Sequence, residues 1–581
     1  MAMPSPPVLI AGAGPTGLIL ALVLLKNGVS VRIIDREPTY RIGSRGTGVQ
    51  PRTLELYDIL GILPSILKAS SPVPPMAIYK PGQTEPVSIS TLAEWVEPTP
   101  DVPHANMLNI NQDVHEEILR DHLQALSCSV ELNTELRSFE QFPDHVVAEI
   151  VKTDVDGTQH VESTTFDWLV GTDGARSVVR KQLGLSFVGE TREQENMAVG
   201  DMVIEEGLDP KFWHMWTVPP TFITLRSNDA TSNRFSLAYS GRAAHLTETA
   251  MTREEFIEEF YAVTGRRDIK FGAFNWIANW RPNLRMVDTM RSGRVFVAGD
   301  AAHCHAPAGG QGLNSSVQDA ANLGWKLALV HAGRASPALL DSYSAERTRV
   351  VKHMLALTTA LFNKKMARFA KGRFDNKADS DEAKPGGDQA AKEGGKKDGD
   401  DDESAYRGGL RMLGVNYRGS AIVLEDAAAD ADAGAYAPPA GTRVQAAYRA
   451  PDAPGLVPVG AGAGDAPTTL FALFRVTVHT VLLFGDAAAA APVAQQLPKD
   501  VVRSVLVLPK GRLAGKDADA GEALAAFDEV LEDREGHAYS GYGLASGGAG
   551  LTVVIVRPDG VVGAVVVGAE DVERYFRKLF A

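Results

Sequence analysis

The 581-residue chain predicts an α/β fold: a Rossmann-like unit, interrupted by an inserted antiparallel sheet and followed by a further α/β domain. Three observations carry this. Near the N-terminus a short apolar strand runs straight into Gly12-Ala-Gly-Pro-Thr-Gly17, then an apolar helix, then a strand ending at Asp35. Much later, an apolar run, Arg294-Val-Phe-Val-Ala298, leads into the glycine-rich stretch Gly299 to Asn314, and a helical run follows. Between them, residues 190–284 lose the strand–helix alternation and read as strand after strand.

Taken in order, Val8-Leu-Ile-Ala11 is a buried strand. Gly12 permits the tight turn, Gly14 lets a pyrophosphate approach, and Gly17 lets helix and strand pack. Residues 18–27 are the helix and 30–34 the second strand, which places Asp35 on ribose hydroxyls. This context makes the motif a dinucleotide site without separating NAD from FAD. Arg36, Arg41, Arg45 and Arg52 crowd the next segment. Arg45 lies in flexible Gly43-Ser-Arg-Gly46, which can bring its guanidinium onto a phosphate or a flavin. Residues 51–60 form a helix with proline in its first turn. Residues 70–106 are proline-rich with brief strands, such as Met76-Ala-Ile-Tyr79, belonging to a second lobe. A helix follows over 111–123, with Gln112 near its start. Phe166-Asp-Trp-Leu-Val170 is another buried strand, and Asp173-Gly174 after it repeats the logic of a turn presented to a ligand.

In the strand-rich stretch, residues 197–204, 222–226 and 235–239 are strands, and 252–263 is a helix opened by a Thr-x-x-Glu capping box. Trp213, Trp216, Trp276 and Trp280 gather there; each alone reads as sheet core, and together they suit a dry aromatic pocket. In the later loop, Gly309, Gly310 and Gly312 let backbone approach something flat or anionic, and the next helix aims its amides there. Asp300 is a fixed acceptor for a sugar or ribityl hydroxyl. His303, Cys304 and His305 are too close together for tetrahedral ligation, so no metal is expected.

The net charge of −14 and the lack of a basic stripe argue against nucleic acid. Cys128 and Cys304 cannot build a disulfide framework, no apolar run spans a membrane, and no targeting signal is visible; the expectation is cytoplasmic. Residues 371–408 are charged and nearly free of apolar side chains, a disordered linker. Residues 409–581 read as the further domain, with strands over 471–474, 480–484, 501–508, 551–557 and 561–567 and a last helix over 569–580.

Gly12 to Gly17, then Asp173-Gly174-Ala-Arg176, then Gly-Asp-Ala-Ala-His-x-His-x-Pro-x-Gly-Gly-Gln-Gly-Leu-Asn over 299–314 together resemble the single-component FAD-dependent aromatic hydroxylases of the para-hydroxybenzoate hydroxylase fold. The resemblance covers residues 5–360. It implies a discontinuous FAD-binding domain over 1–189 and 285–370, and a substrate-binding sheet domain over 190–284 to which 70–106 contribute. The C-terminal domain resembles the thioredoxin-like domain of phenol-hydroxylase relatives; it has no cysteine, so a structural or dimer-forming role is expected. By the same resemblance Gly12, Gly14, Gly17 and Asp35 hold FAD; Arg36 is a further cofactor-binding candidate from its place after Asp35, equally readable as a solvated loop residue. Arg45 and Gln112 contact its pyrophosphate and ribityl side, and Asp173 serves FAD and transient nicotinamide. Asp300 takes the ribityl chain, Pro307 lies by the flavin's reactive edge, and Gly312, Leu313 and Asn314 face its pyrimidine end. Arg234 and Tyr239 are candidates for substrate contact. The implied reaction uses NADPH or NADH and O2, through a flavin hydroperoxide, to hydroxylate a phenolic or polyketide-derived ring. Thr47 and Ser236 stand where phenol hydroxylases carry an aspartate and a tyrosine that help deprotonate phenol, which argues against simple phenol. Baeyer–Villiger insertion, epoxidation and a non-catalytic FAD scaffold stay open.

Overall fold

The computed structural model describes residues 7–44, 46–91, 94–192, 195–227, 232–241, 251–370, 409–425, 434–439, 441–459, 466–511, 523–545 and 550–580. Arg45 and the expected linker over 371–408 lie outside the described residues.

The first sheet is built from strands that sit far apart in sequence. In chain order the elements that frame it are β1 (Val8–Ala11), α1 (Pro15–Lys26), β2 (Val31–Ile34), α2 (Gln112–Ala125), β3 (Leu169–Gly171), β4 (Val295–Val297), α3 (Gly312–His331) and α4 (Asp341–Ala370). Spatially the order is β4-β3-β1-β2, all parallel, with Arg291–Ser292 as an antiparallel edge beside β4. Every residue of β1, β3 and β4 is buried, the reading expected of strands covered on both faces. α1 and α3 pack closely enough that a Cβ on Gly324 would lie 2.5 Å from Val23 Cγ1. The expected single strand over 166–170 is in fact two elements. Gln159–Phe166 closes a three-stranded antiparallel sheet with Thr134–Gln141 and Val146–Thr153, and only Leu169–Gly171 joins the parallel sheet. Trp168, 4% exposed, sits in the core between them.

The second sheet has seven strands, in the order Lys270–Trp280, Met197–Glu206, Arg234–Ser240, Thr221–Ser227, Trp213–Val218, Met76–Tyr79 and Ser88–Ser90. All neighbours are antiparallel except Trp213–Val218 with Met76–Tyr79. One face packs on the helix Arg253–Thr264, which carries the expected capping box at Thr252 and Glu255. Trp216 is fully buried on that face, in T-shaped contact with Phe260. It is core rather than pocket wall, because three residues from Trp213 along a strand reverses the face.

The C-terminal part is a six-stranded mixed sheet. His479–Phe484, Val502–Pro509 and Glu529–Asp533 are parallel, with Thr552–Val556 and Val562–Val566 antiparallel beyond the first and Leu456–Pro458 antiparallel beyond the last. Residues 471–474, expected as a strand, form a turn whose Phe471 and Phe474 plug the core. The final helix is Ala569–Phe576. This part shares one continuous apolar core with the first sheet. A buried ion cluster also crosses the junction: Glu346 of α4 accepts from both Arg557 terminal nitrogens (2.8 and 3.0 Å) and from Lys326 of α3 (2.7 Å). No helix among the described residues is long and apolar enough to cross a membrane.

Candidate FAD site and substrate cleft

The four parallel strands deliver their carboxyl ends to one edge, where ligands bind open α/β sheets. Gly12, Asp35, Asp173 and Asp300 all follow those ends. Gly12 leaves β1 at φ +107°, and a Cβ there would lie 2.4 Å from the Thr172 carbonyl oxygen, so only glycine can make this turn. Thr172 Oγ1 donates to the Gly12 carbonyl at 2.6 Å, tying the β3 turn to the β1 turn. A Cβ on Gly17 would lie 2.1 Å from Gly12 O. Gly14 differs: a Cβ there would meet no protein atom within 4 Å. It is the N-cap of α1, and no side chain caps that helix. Open space at an uncapped helix N-terminus is chemically suited to a phosphate.

The Asp35 carboxylate accepts from the amides of Ala13 (2.7 Å) and Glu37 (3.0 Å), leaving lone pairs for sugar hydroxyls. Asp173 Oδ2 accepts from the Val178 amide at 2.6 Å, while its Oδ1 is buried without a partner. Burial pushes this carboxyl's pKa up, and a buried unmatched acceptor asks for a donor from a ligand. Asp300 is exposed, one residue past Gly299. Gly299 is wedged between the starts of α1 and α3: at φ +61° a Cβ would lie 2.5 Å from Thr16 Oγ1 and 3.1 Å from Ser316 Oγ.

Asp319, buried in α3, fixes this corner. It accepts from the Gly299 amide (3.0 Å) and Arg347 Nε (2.7 Å), and His303 Nε2 lies 2.7 Å from it. Burial alone would raise its pKa, but Arg347 and His303 bring it down to about 2. The loop beyond is clipped from inside. Asn314 Oδ1 accepts from the Gln50 amide at 2.8 Å, and its Nδ2 donates to the carbonyls of Gly48 (2.8 Å) and Gly310 (2.6 Å). Gln311 Nε2 donates to Leu410 O at 2.9 Å. So the Asn314 side chain is used within the protein, and what α3 offers a ligand is its N-terminal backbone, uncapped by any side chain, at Gly312 and half-buried Leu313. Pro307 is exposed on the same loop.

The other face of the seven-stranded sheet looks at this edge. Asp201 accepts from the Ser44 amide and from Trp276 Nε1. Arg234 Nη2 donates to Asp113 Oδ2 at 2.7 Å, which also accepts from the Gly43 amide at 3.1 Å. Burial would raise the Asp113 pKa, but Arg234 and Gly43 hold it below the usual range. Between these ties Val199, Thr224, Ala238 and Ala278 line a half-buried row, the floor of a cleft between the two sheets.

The structure thus brings together Gly12, Gly14, Gly17, Asp35, Asp173, Asp300 and the start of α3. Arg36 is exposed, 3.5 Å from Glu37, and Gln112 Nε2 donates to Glu116 at 2.8 Å. Arg234 faces the cleft but is committed to Asp113. Tyr239 does not reach it: fully buried on the opposite face, it donates to Glu259 at 3.0 Å and packs on Phe256. Sequence reasoning missed Ser44, Asp201, Arg226 and Asp319. For Asp319 no signal existed; for Arg226 the alternation Phe222-Thr224-Arg226 opposite Ile223-Leu225 marked it as facing away from the core.

An uncapped helix start beside Gly14, a buried unmatched Asp173 oxygen and an exposed Asp300 by a second uncapped helix start form a cradle that fits FAD. Comparison with known proteins identifies the same class: residues 5–358 match the FAD binding domain family. A flavin-dependent monooxygenase of Mycobacteroides abscessus is 35% identical, over 86% of this chain and 94% of the relative. Pentachlorophenol 4-monooxygenase of Sphingobium chlorophenolicum is 31% identical, over 87% and 86%. The crystal structure of aklavinone-11 hydroxylase with FAD and aklavinone superposes at a TM-score of 0.75, with 24% identity, covering 100% of this chain and 99% of that one. The chain belongs to the FAD binding domain family. Within it, the chain is an FAD-dependent monooxygenase.

Proposed function

We propose that this enzyme hydroxylates a phenolic or polyketide-derived aromatic ring with NADPH or NADH and O2. The observation that carries the reading is the meeting of two surfaces: the carboxyl edge of the parallel sheet and the half-buried floor of the seven-stranded sheet, tied together by Asp201–Ser44 and Arg234–Asp113. Matches along most of both chains to a flavin-dependent and a pentachlorophenol monooxygenase support it.

Bound FAD supplies hydride acceptance from the nicotinamide and activation of O2. The chain's own residues do the rest. The α1 amides at Gly14 take the pyrophosphate, Asp35 the ribose, and Asp300 the ribityl hydroxyls. Asp173 Oδ1 accepts one further donor. The N-terminal amides of α3, with that helix's dipole, favour negative charge at the pyrimidine end of the ring. Pro307 stands over the loop beside the reacting edge. The sheet floor excludes water and fixes the substrate ring. We assign FAD binding to 1–189 and 285–370, and substrate binding to 190–284 with strands from 70–106. The domain over 409–581 is a thioredoxin-like unit without cysteines that buttresses the flavin loop through Leu410 and offers a surface for a homodimer.

The test is a panel of phenols and polyketide aromatics given to purified holoenzyme with NADPH or NADH, scored for flavin reduction rate and product mass. One added oxygen with the ring count kept is the expected product. Ring expansion, or nicotinamide oxidation that no aromatic stimulates, refutes it.

A further inference from the structure

One row across the cleft-facing side of the seven-stranded sheet carries two charges. Cα pairing aligns Met76, Trp213, Arg226, Ser236, Asp201 and Trp276. Arg226 shares its strand with Ile223 and Leu225, both fully buried against the helix Arg253–Thr264. Alternation therefore turns Arg226 toward the cleft, beside the half-buried Thr224.

Its electrostatic situation is unusual. Arg226 Nε is closed to solvent and has no hydrogen-bond partner among the described residues. No ion pair to Arg226 is found among them either; its guanidinium carbon lies 5.3 Å from the centre of the Trp213 ring. Among the described residues the one charge acting on it is Asp201, whose Oδ2 is taken by the Ser44 amide and the Trp276 indole and whose Oδ1 is buried without a partner, yet no ion pair joins the two side chains. Arg234, one strand over on the same face, is by contrast ion-paired with Asp113 through Nη2. Arg226 Nε is one of the five donors a guanidinium presents in a plane, and leaving such a donor unmet away from water is costly. Such a group persists at a site where something else supplies the acceptor.

We propose that Arg226 holds an ionised oxygen of the aromatic substrate, a phenolate or enolate formed in solvent, and so selects acidic phenols over their neutral ethers. The inference rests on the hydroxylase reading of the cleft. It also answers the two replacements in the chain: with Thr47 and Ser236 where phenol hydroxylases carry groups that deprotonate phenol, a fixed cation receives a substrate that arrives already ionised.

The experiment uses holoenzyme as wild type, R226M and R226K, with pentachlorophenol, ionised in neutral buffer, and pentachloroanisole, which cannot ionise. Affinity is read by quenching of tryptophan fluorescence, turnover by NADPH oxidation split into KM and kcat, and FAD by absorbance. Wild type should bind the phenolate on the order of 10- to 100-fold tighter than the ether, the range of a charged hydrogen bond. R226M should lose that preference while its affinity for the ether and its FAD content stay unchanged. R226K should keep most of the preference. If R226M does not fold, R226Q carries the same comparison. An R226M or R226Q protein that keeps the preference overturns the assignment, and so does one that weakens phenolate and ether equally, which marks a packing role. Wild type that binds neither probe and converts no phenol of the panel overturns the hydroxylase reading and Arg226 with it. Wild type that turns over while R226M is indifferent removes only Arg226.

Discussion

Gly14→Ala separates ligand binding from folding at a single atom. Gly14 sits at φ −72° and ψ −178°, backbone that alanine adopts without strain. Its added Cβ would touch no protein atom within 4 Å. Two small effects on the apo-protein oppose each other. Restricting the unfolded chain stabilises by about 0.4–1 kcal/mol. Exchanging an N-cap glycine for alanine costs up to about 1 kcal/mol. The apo stability should therefore move by less than ~0.5 kcal/mol. FAD binding behaves otherwise, because the methyl would occupy the space where a pyrophosphate must meet the α1 amides. Forcing one methyl group into a close-packed contact costs about 1–3 kcal/mol, or roughly 5- to 150-fold in Kd. The assay is urea unfolding of the apo-protein beside FAD titration by fluorescence quenching. Unchanged FAD affinity would show that the pyrophosphate does not lie at Gly14. A large loss of apo stability would show that Gly14 does not face open space. Gly12→Ala is the contrasting control: its Cβ would lie 2.4 Å from a backbone oxygen at φ +107°, so both measurements should fall together.

Glu346→Gln should destabilise the whole chain by about 3–5 kcal/mol in urea unfolding, because Lys326 and Arg557 stay buried without their shared anion. Asp319 is held at about 2, below its unfolded value, so its contribution is full above ~pH 4 and is lost as pH falls toward 2. Asp319→Asn should flatten that acid limb by ~2–3 kcal/mol and weaken FAD retention, since the Gly299 amide and Arg347 lose their common acceptor. Tyr239→Phe should cost about 1 kcal/mol of stability and leave kcat unchanged, because its hydroxyl serves Glu259 on the far side of the sheet; a hundredfold loss of kcat would return Tyr239 to the site.

Much of the cofactor half was legible in the chain. A strand that ends in Gly12-Ala-Gly and a strand that ends in Gly299-Asp300 each state their local geometry, since a turn that needs φ above zero and a close helix approach admits only glycine. The substrate half was less legible. Arg234 and Tyr239 stand five residues apart on one strand, so they point to opposite faces, and nothing in their identities says which face is the cleft. Residues 471–474 looked like a strand because four apolar residues in a row satisfy a buried turn as well as a buried strand.

By itself the sequence determined most of the elements and the glycine turns, which depend on neighbours within a few residues, and the family, which three such local motifs in order made legible. Tertiary structure alone decided that β3 lies between β1 and β4, that Asp201 grips Ser44, and that among the described residues Arg226 Nε meets no partner while Arg234 pairs with Asp113. These depend on which distant segments share a hydrogen-bonded edge, and on the charge that each side chain meets there. That information belongs to pairs of residues far apart in the chain, and folding alone brings them within reach of one another.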